Sequence, residues 1–275
     1  MNAALVAAPA RDAKIRGGTV RSVLALTRVE SRRLITHPAM VAGPGILALL
    51  GARGPGAFHF LFLVGIGYLF VGIGAFLASN LCATRNRRDR TEELYASLPL
   101  RQVDRTAAHL LSQIWPLAAS LVIAGILAAS TRPWAGASAR MGIEPRTIVH
   151  GLPDFLQGPL AVAFFSMAGA MLARWFTTAI AVPVAVAGFI AVNVVTDLLS
   201  GPLRWLGLVA TYSQTAPEPA TVMAWHLAYS LGGILLLGLV ALARRPLPRG
   251  VAIFGTIAVS LTVMAGTMQV LAASP

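Results

Sequence analysis

The sequence TRNRRDRTEELYASLPLRQVDR occupies residues 84–105 and is the one long, densely charged segment between two membrane-length apolar runs. It contains six arginines and four carboxylates. Thr91 suits the N-cap of a short amphipathic helix, Glu92 and Glu93 fall in its first turn, and Pro99 ends it. A chain that is otherwise mostly apolar is expected to keep such a helix in order to dock a soluble partner.

The composition predicts a polytopic, all-α integral membrane protein. Hydrophobic residues make up 56% of the chain and charged residues 12%, and the mean hydropathy is +0.73, whereas about a quarter of an ordinary soluble domain is charged. Apolar runs of about 18 to 25 residues have the length that a helix needs to cross about 30 Å of hydrocarbon. Seven segments qualify: 34–52, 57–81, 106–130, 151–173, 176–200, 223–243 and 251–273.

The first of these segments is the weakest. It contains Pro38 and the Gly-Pro-Gly sequence at 43–45, which predicts a kinked or re-entrant helix. We therefore expect six to seven transmembrane helices. With no repeat and no low-complexity linker, residues 1–275 are expected to form one transmembrane domain, with a cytosolic N-terminus and interfacial helix at 1–33 and a cytosolic loop at 84–105.

The formal net charge of +12 reflects membrane orientation rather than nucleic-acid binding, which requires a soluble unit to carry the basic face. Basic residues collect on the cytosolic side of a membrane. A cytosolic N-terminus puts most of the 22 Lys and Arg residues inside. Seven crossings then place the C-terminus outside. The basic residues left outside are Arg53, Arg132, Arg140, Arg146 and Arg204.

Residues 19–36 are predicted to form an amphipathic helix on the membrane surface. At 100° per residue, Arg21, Arg28 and Arg32 fall on one narrow stripe, and apolar residues occupy the opposite side. Glu30 lies within the apolar arc, where a carboxylate needs a cationic partner. Two partners are open: Arg33, three residues along the same helix, and the arginine cluster at 85–90.

Other features are less specific. The outer segment 201–222 includes Pro202 to Leu206, a predicted interfacial helix anchored by the indole of Trp205. Residues 1–10 lack the basic region of a signal peptide, so no cleaved signal is expected. The single cysteine, Cys82, is interpreted as a small residue at a helix end.

Several kinds of chemistry are not encoded. The chain contains no GxxxxGK[ST] sequence and Lys14 is its only lysine, so it is not expected to hydrolyse ATP. The five histidines show no metal-ligand spacing, and no catalytic, cofactor or metal site is predicted. The spans hold few ionisable side chains; their deeper polar groups include Gln113, Ser166 and Asn193, with His109 and His226 near span ends. A self-powered carrier normally needs ionisable groups near the midplane, so energy for transport is expected to come from another subunit.

Three elements together resemble the permease subunit of type-2 ATP-binding-cassette (ABC) exporters. They are RVESRRLITHP at 28–38, DRTEELYASLPL at 89–100 and SGPLRWL at 200–206. In that family the first is the elbow helix, and the second is the coupling helix that docks on the ATPase. The resemblance implies a dimer with a pathway between two permease copies, and ATP and Mg²⁺ bound only on a separate nucleotide-binding subunit.

Carried over by position, the resemblance makes Glu92, Glu93, Leu94, Tyr95 and Leu98 the docking surface. It puts Arg28, Glu30 and Arg32 on the elbow helix. The implied location is the cytoplasmic membrane of a prokaryote, and the second permease is either a copy or a paralogue. The chain departs from the family's usual six spans by the segment 251–273. The rival interpretation is a membrane scaffold or immunity subunit that docks a cytosolic partner without moving substrate.

Overall fold

The computed structural model describes residues 8–51, 57–88, 101–126, 152–176, 178, 180–198, 201–207, 219–243 and 249–274. All regular structure within these ranges is helical, which confirms the predicted all-α fold. The elements are α1 (Ala8–Ile35), α2 (Pro38–Gly51), α3 (Ala57–Arg88), α4 (Gln102–Ser112), α5 (114–126), α6 (Leu152–Trp175), α7 (Ala181–Leu198), a 3-10 helix (Gly201–Leu206), α8 (Ala220–Leu242) and α9 (Arg249–Ala272).

Five stretches in the described residues are long and apolar enough to cross a membrane. They are Gly67–Arg85, Gln102–Ile126, Phe155–Trp175, Ala220–Leu242 and Arg249–Ala272. The other two predicted spans correspond to shorter apolar helices. The 14 residues of α2 reach only about 21 Å at 1.5 Å per residue, and the apolar part of α7 covers Ala181–Thr196.

Neighbouring helices run in directions that alternate along the chain. In α3 and α6, Gly72 lies against Phe165 and Gly169 lies against the backbone of Phe76, so these two helices are parallel. Residue numbers rise together along both helices at these contacts. They also rise together between α6 and α8, where Gly233 meets Phe164 and the Trp175 indole N–H donates to the Val240 carbonyl at 2.8 Å, so α8 is parallel to α6. Helices α2, α5 and α9 pack antiparallel to these three.

Glycines allow the closest helix crossings. A Cβ at Gly43 of α2 would lie 2.8 Å from the Phe70 carbonyl oxygen, and a Cβ at Gly74 of α3 would lie 2.4 Å from the Ala39 oxygen. A Cβ at Gly169 of α6 would lie 2.3 Å from the Phe76 oxygen. Small residues let membrane helices approach until their backbones touch, and van der Waals attraction between the touching backbones holds the helices together. Helix α3 is therefore fixed between α2 and α6.

The helix that follows the charged loop is broken at Gln113, between α4 and α5. Pro116 lies in the first turn of α5, where it supplies no backbone N–H, and its ring clashes with the carbonyl of Ser112 in a continuous helix. The Gln113 N–H donates to the Leu110 carbonyl, three residues back, at 3.1 Å. This is the hydrogen bond of a 3-10 turn rather than of an α-helix. The side chains of Ser112 and Gln113 both donate to the His109 carbonyl, at 2.7 and 2.8 Å. The break thus directs a glutamine side chain into the bundle.

Candidate functional site

The predicted docking residues Glu92, Glu93, Leu94, Tyr95 and Leu98 lie outside the described residues. The helices on either side of them are described. α3 continues through Arg88, into the charged segment, and α4 begins at Gln102. The Arg101 N–H bonds the Asp104 carboxylate at 3.3 Å, which caps the start of α4. The two helices bracket the segment, and both pack against α1.

The predicted elbow residues lie on opposite faces of α1. Arg28 and Arg32 are exposed, as is Arg21, in agreement with the predicted basic stripe. Glu30 is buried, and so is Leu34 one turn further along. The arc that carries them packs against α4 and α3 rather than facing lipid alone. The amphipathic pattern therefore separates an exposed arginine side of α1 from a Glu30 side that packs against protein.

Glu30 has two basic neighbours. The Arg33 guanidinium donates to Glu30 Oε1 at 3.0 Å, which confirms the predicted local ion pair. The second neighbour, His109 on α4, was not predicted; its Nδ1 lies 3.5 Å from Glu30 Oε2. That separation is beyond a normal hydrogen bond, so the two side chains form a longer polar contact, which is ionic only when His109 is protonated.

These neighbours control the charge of the Glu30 carboxyl. Burial raises its pKa, but the interactions with His109 and Arg33 outweigh burial, and the net pKa of Glu30 lies below its ordinary value. The carboxylate is therefore charged at neutral pH. It joins α1 to α4, the helix that begins directly after the predicted docking segment.

A chain of polar contacts continues from His109 toward the middle of the bundle. Its Nε2 lies 3.5 Å from the Ser79 carbonyl oxygen on α3. The Ser79 hydroxyl donates to Gln113 Oε1 at 2.7 Å and lies 2.9 Å from the Ser166 hydroxyl on α6. Ser166 also donates to Gln113 Oε1. The sequence predicts Gln113 and Ser166 as deep polar groups, and the structure brings them together.

This inner cluster consists of Ser79, Gln113 and Ser166, and all three side chains are buried. Next to it, the Asn80 amide donates to the Gly169 carbonyl at 3.2 Å. Buried polar groups in hydrocarbon are costly unless they bond one another, and these groups meet that requirement across three helices. The cluster therefore holds α3 and α6 against the break between α4 and α5.

A second polar cluster lies at the opposite end of the bundle and corrects the prediction for Trp205. Its indole is buried, with an exposed fraction of 2%, so it does not anchor the 3-10 helix in the lipid interface. The Trp205 carbonyl instead accepts from Gln269 of α9 at 2.9 Å, and Gln269 Oε1 lies 3.2 Å from His226 Nδ1 of α8. The predicted short helix is present, but protein contacts hold it.

Comparison with family models, curated proteins and solved structures finds no match for this chain. Among the described residues no three His, Cys, Asp or Glu side chains are grouped as metal ligands. The α1–α4 junction, defined here as Glu30, Arg33 and His109, connects α1 to α4, and α1 also packs against α3 on the other side of the charged segment.

Proposed function

We propose that this chain is the transmembrane subunit of an ABC exporter, in which a separate nucleotide-binding subunit hydrolyses ATP and two permease chains form the pathway. The resemblance of residues 28–38, 89–100 and 200–206 supports the proposal, as do five helices of membrane-spanning length and composition. The substrate is not specified. The proposed coupling helix is 89–100, with α1 as the elbow helix.

One observation carries the proposal: the contact between the side chains of Glu30 and His109, 3.5 Å apart. It joins the proposed elbow helix to α4, which begins just after the proposed coupling helix. His109 in turn contacts α3. Helix α3 ends just before the proposed coupling helix. A push on residues 89–100 would thus reach α3, α4 and α1 together. Rigid-body rocking of packed helices is one of the known ways in which a small local displacement becomes a large one.

The proposed topology places the N-terminus and residues 84–105 in the cytosol of a prokaryote, with seven crossings. The alternating directions of α2, α3, α5, α6, α8 and α9 agree with such a path. Because α2 is about 21 Å long, it crosses only if the bilayer thins locally or if flanking residues extend the span. Five full crossings and two shorter ones, α2 and α7, are the arrangement we propose.

The test is retention of the ATPase by the full-length chain purified from its native membrane. The variant Leu94→Ala/Leu98→Ala removes the two leucines that lie four apart on the proposed docking face. Burial of one leucine side chain contributes about 1.5 to 3 kcal/mol, and each 1.4 kcal/mol is about tenfold in affinity. We expect normal membrane insertion and yield, but loss of a co-purifying phosphate-loop ATPase and of ATP-dependent export.

The matched control is Leu198→Ala/Leu203→Ala. These leucines are exposed and lie near the opposite end of the bundle, so the control should retain the ATPase. Equal retention by both variants would show that residues 89–100 are only a charged connection. An ATPase that co-purifies but drives no movement of any substrate would favour the scaffold interpretation.

A further inference from the structure

A cationic pocket of about 460 Å³ lies where the end of α1 and the start of α2 meet α3. Arg33, Thr36 and His37 line one side, and Arg85 lines the other. Pro38, Leu81 and Cys82 form its apolar wall. Among the described residues that line the pocket there is no carboxylate. Its volume falls within the range of about 300 to 1,000 Å³ typical of small-ligand sites.

The pocket has the chemistry of an anion site. Two guanidinium groups line it from different helices. An anion between Arg33 and Arg85 would be attracted to both. A guanidinium carries five N–H donors, so Arg33 can bond Glu30 at 3.0 Å and an anion at the same time. Guanidinium is the side chain best matched to phosphate, because its planar fork gives two parallel hydrogen bonds.

His37 adds a third donor. Its Nδ1 accepts a hydrogen bond from the Ala39 N–H at 3.2 Å, which caps the start of α2. The ring proton of neutral His37 is therefore on Nε2. Thr36 uses its hydroxyl hydrogen on the Arg32 carbonyl, at 2.9 Å, so its oxygen contributes polarity rather than a donor.

The apolar wall indicates what kind of anion fits. Leu81 and Cys82 belong to α3, within the candidate span Gly67–Arg85, so the cationic end of the pocket lies where that span leaves the hydrocarbon. A phosphate there can belong to a lipid, whose acyl chains continue along α3. Basic pockets between membrane helices on the cytosolic side are suited to anionic headgroups.

We propose that this pocket is a binding site for a phosphate group at the membrane surface, supplied by an anionic phospholipid. The proposal goes beyond the transport function and does not depend on an ATPase partner. It assigns Arg33 and Arg85 as the phosphate ligands, with His37 as an additional donor. The same ligand would bridge α1 to α3, alongside the α1–α4 junction.

The test uses the full chain in nanodiscs made from equimolar phosphatidylcholine and phosphatidylglycerol, and counts the lipids that stay bound in native mass spectrometry. The parent should retain phosphatidylglycerol in excess over phosphatidylcholine. Arg33→Gln/Arg85→Gln should reduce that excess by about tenfold or more, because two charge-assisted contacts are lost. The control Arg21→Gln/Arg28→Gln removes the same charge from the exposed stripe of α1 and should keep the excess.

A second variant covers the case in which Arg33→Gln/Arg85→Gln does not fold. Cys82→Phe changes no charge but fills the pocket, and it should also abolish the phosphatidylglycerol excess. An undiminished excess in Arg33→Gln/Arg85→Gln overturns the proposal, as does an equal loss in Arg21→Gln/Arg28→Gln. If Arg33→Gln/Arg85→Gln gives no folded protein, an undiminished excess in Cys82→Phe overturns it.

Inorganic phosphate distinguishes the two sources of the anion. In a neutral detergent without lipid, the thermal midpoint of the parent is measured with inorganic phosphate and with short-chain phosphatidylglycerol. A rise with the lipid alone, absent in Arg33→Gln/Arg85→Gln, supports the lipid site. A rise with inorganic phosphate that depends on the same arginines keeps the phosphate site but overturns the lipid as its source.

Discussion

Replacing Glu30 with glutamine tests whether the α1–α4 junction holds the surface helix to the bundle. The substitution keeps the size of the side chain and removes its charge. A hydrogen bond to a charged group contributes about 1.5 to 3 kcal/mol. The Arg33 side chain is 34% exposed, so its share is reduced to about 0.2 to 1 kcal/mol. The His109 side chain is only 13% exposed, so its interaction is screened less and contributes about 1 to 2 kcal/mol, between the values for an exposed and a buried pair.

Together these terms give a loss of about 2 kcal/mol, which is roughly a 30-fold shift toward the undocked form of α1. A cysteine at Leu34 reports that shift, because Leu34 is 1% exposed and lies one turn from Glu30 on the same buried face. The experiment is done in a Cys82→Ala background, so that the introduced cysteine is the only one. We expect the introduced cysteine to react with maleimide about 30 times faster in Glu30→Gln than in the parent.

Two controls separate docking from general loosening. Arg28→Gln removes a charge from the exposed face of the same helix and should change the labelling rate less than about twofold. A cysteine at the exposed Leu24 should react quickly in every background. If Glu30→Gln labels Leu34→Cys no faster than the Arg28→Gln control does, the ionic contact does not hold α1 in place.

The pH dependence supplies an independent test. The folded pKa of Glu30 is lowered from an ordinary value of 4.5, so the unfolded state takes up its proton first as pH falls. The stabilisation that depends on ionisation of Glu30 is therefore present above that ordinary value and is lost as pH falls through the lowered folded pKa. The difference in thermal midpoint between parent and Glu30→Gln should shrink over that acidic range. A difference that stays constant from neutral pH to below the ordinary pKa contradicts the assigned role.

Three further outcomes are expected. Gly169→Ala should lower the thermal midpoint in detergent, because the added Cβ would lie 2.3 Å from the Phe76 oxygen and overpacking costs about 1 to 3 kcal/mol. The control Gly188→Ala has open space around its added Cβ and should leave the midpoint unchanged. A cysteine at residue 275 should react with an impermeant label in intact cells and one within 89–100 only after permeabilisation; the opposite result would reverse the seven-crossing topology. The purified chain should show no ATPase activity until a partner subunit is added, because it encodes no phosphate loop, and hydrolysis that persists in rigorously pure chain would refute this.

The sequence predicted the helices well because membrane helices carry their signal in length and composition. The predicted span 57–81 and α3 both begin at Ala57, and the segment 251–273 matches Arg249–Ala272. The predicted span ends at Leu81 because it followed hydropathy, whereas the helix itself continues through polar residues to Arg88. The Arg33 partner of Glu30 was predictable too, since an i,i+3 pair depends only on helix geometry.

Contacts between helices were not predictable in the same way. Whether Ser79 and Ser166 meet Gln113 depends on how three helices rotate about their own axes, and neither hydropathy nor charge fixes that rotation. The Trp205 prediction was wrong for a related reason. A tryptophan at the end of a span suits a lipid interface. Here the Gln269 side chain, far along the chain, donates to the Trp205 carbonyl, and Trp205 is buried in protein.

The inner cluster also constrains where a transported substrate could pass in the proposed exporter. Ser79, Gln113 and Ser166 bond one another. Their polar atoms are therefore already occupied and are not available to a substrate that would pass through α3, α5 and α6. Breaking those bonds in hydrocarbon would be costly, and the three helices should move as one unit. The exposed side chains of α9 include Ile253, Phe254 and Val263, which suit lipid or another apolar surface. If the chain is a permease, its pathway should therefore form between this unit and a second copy, rather than inside one chain.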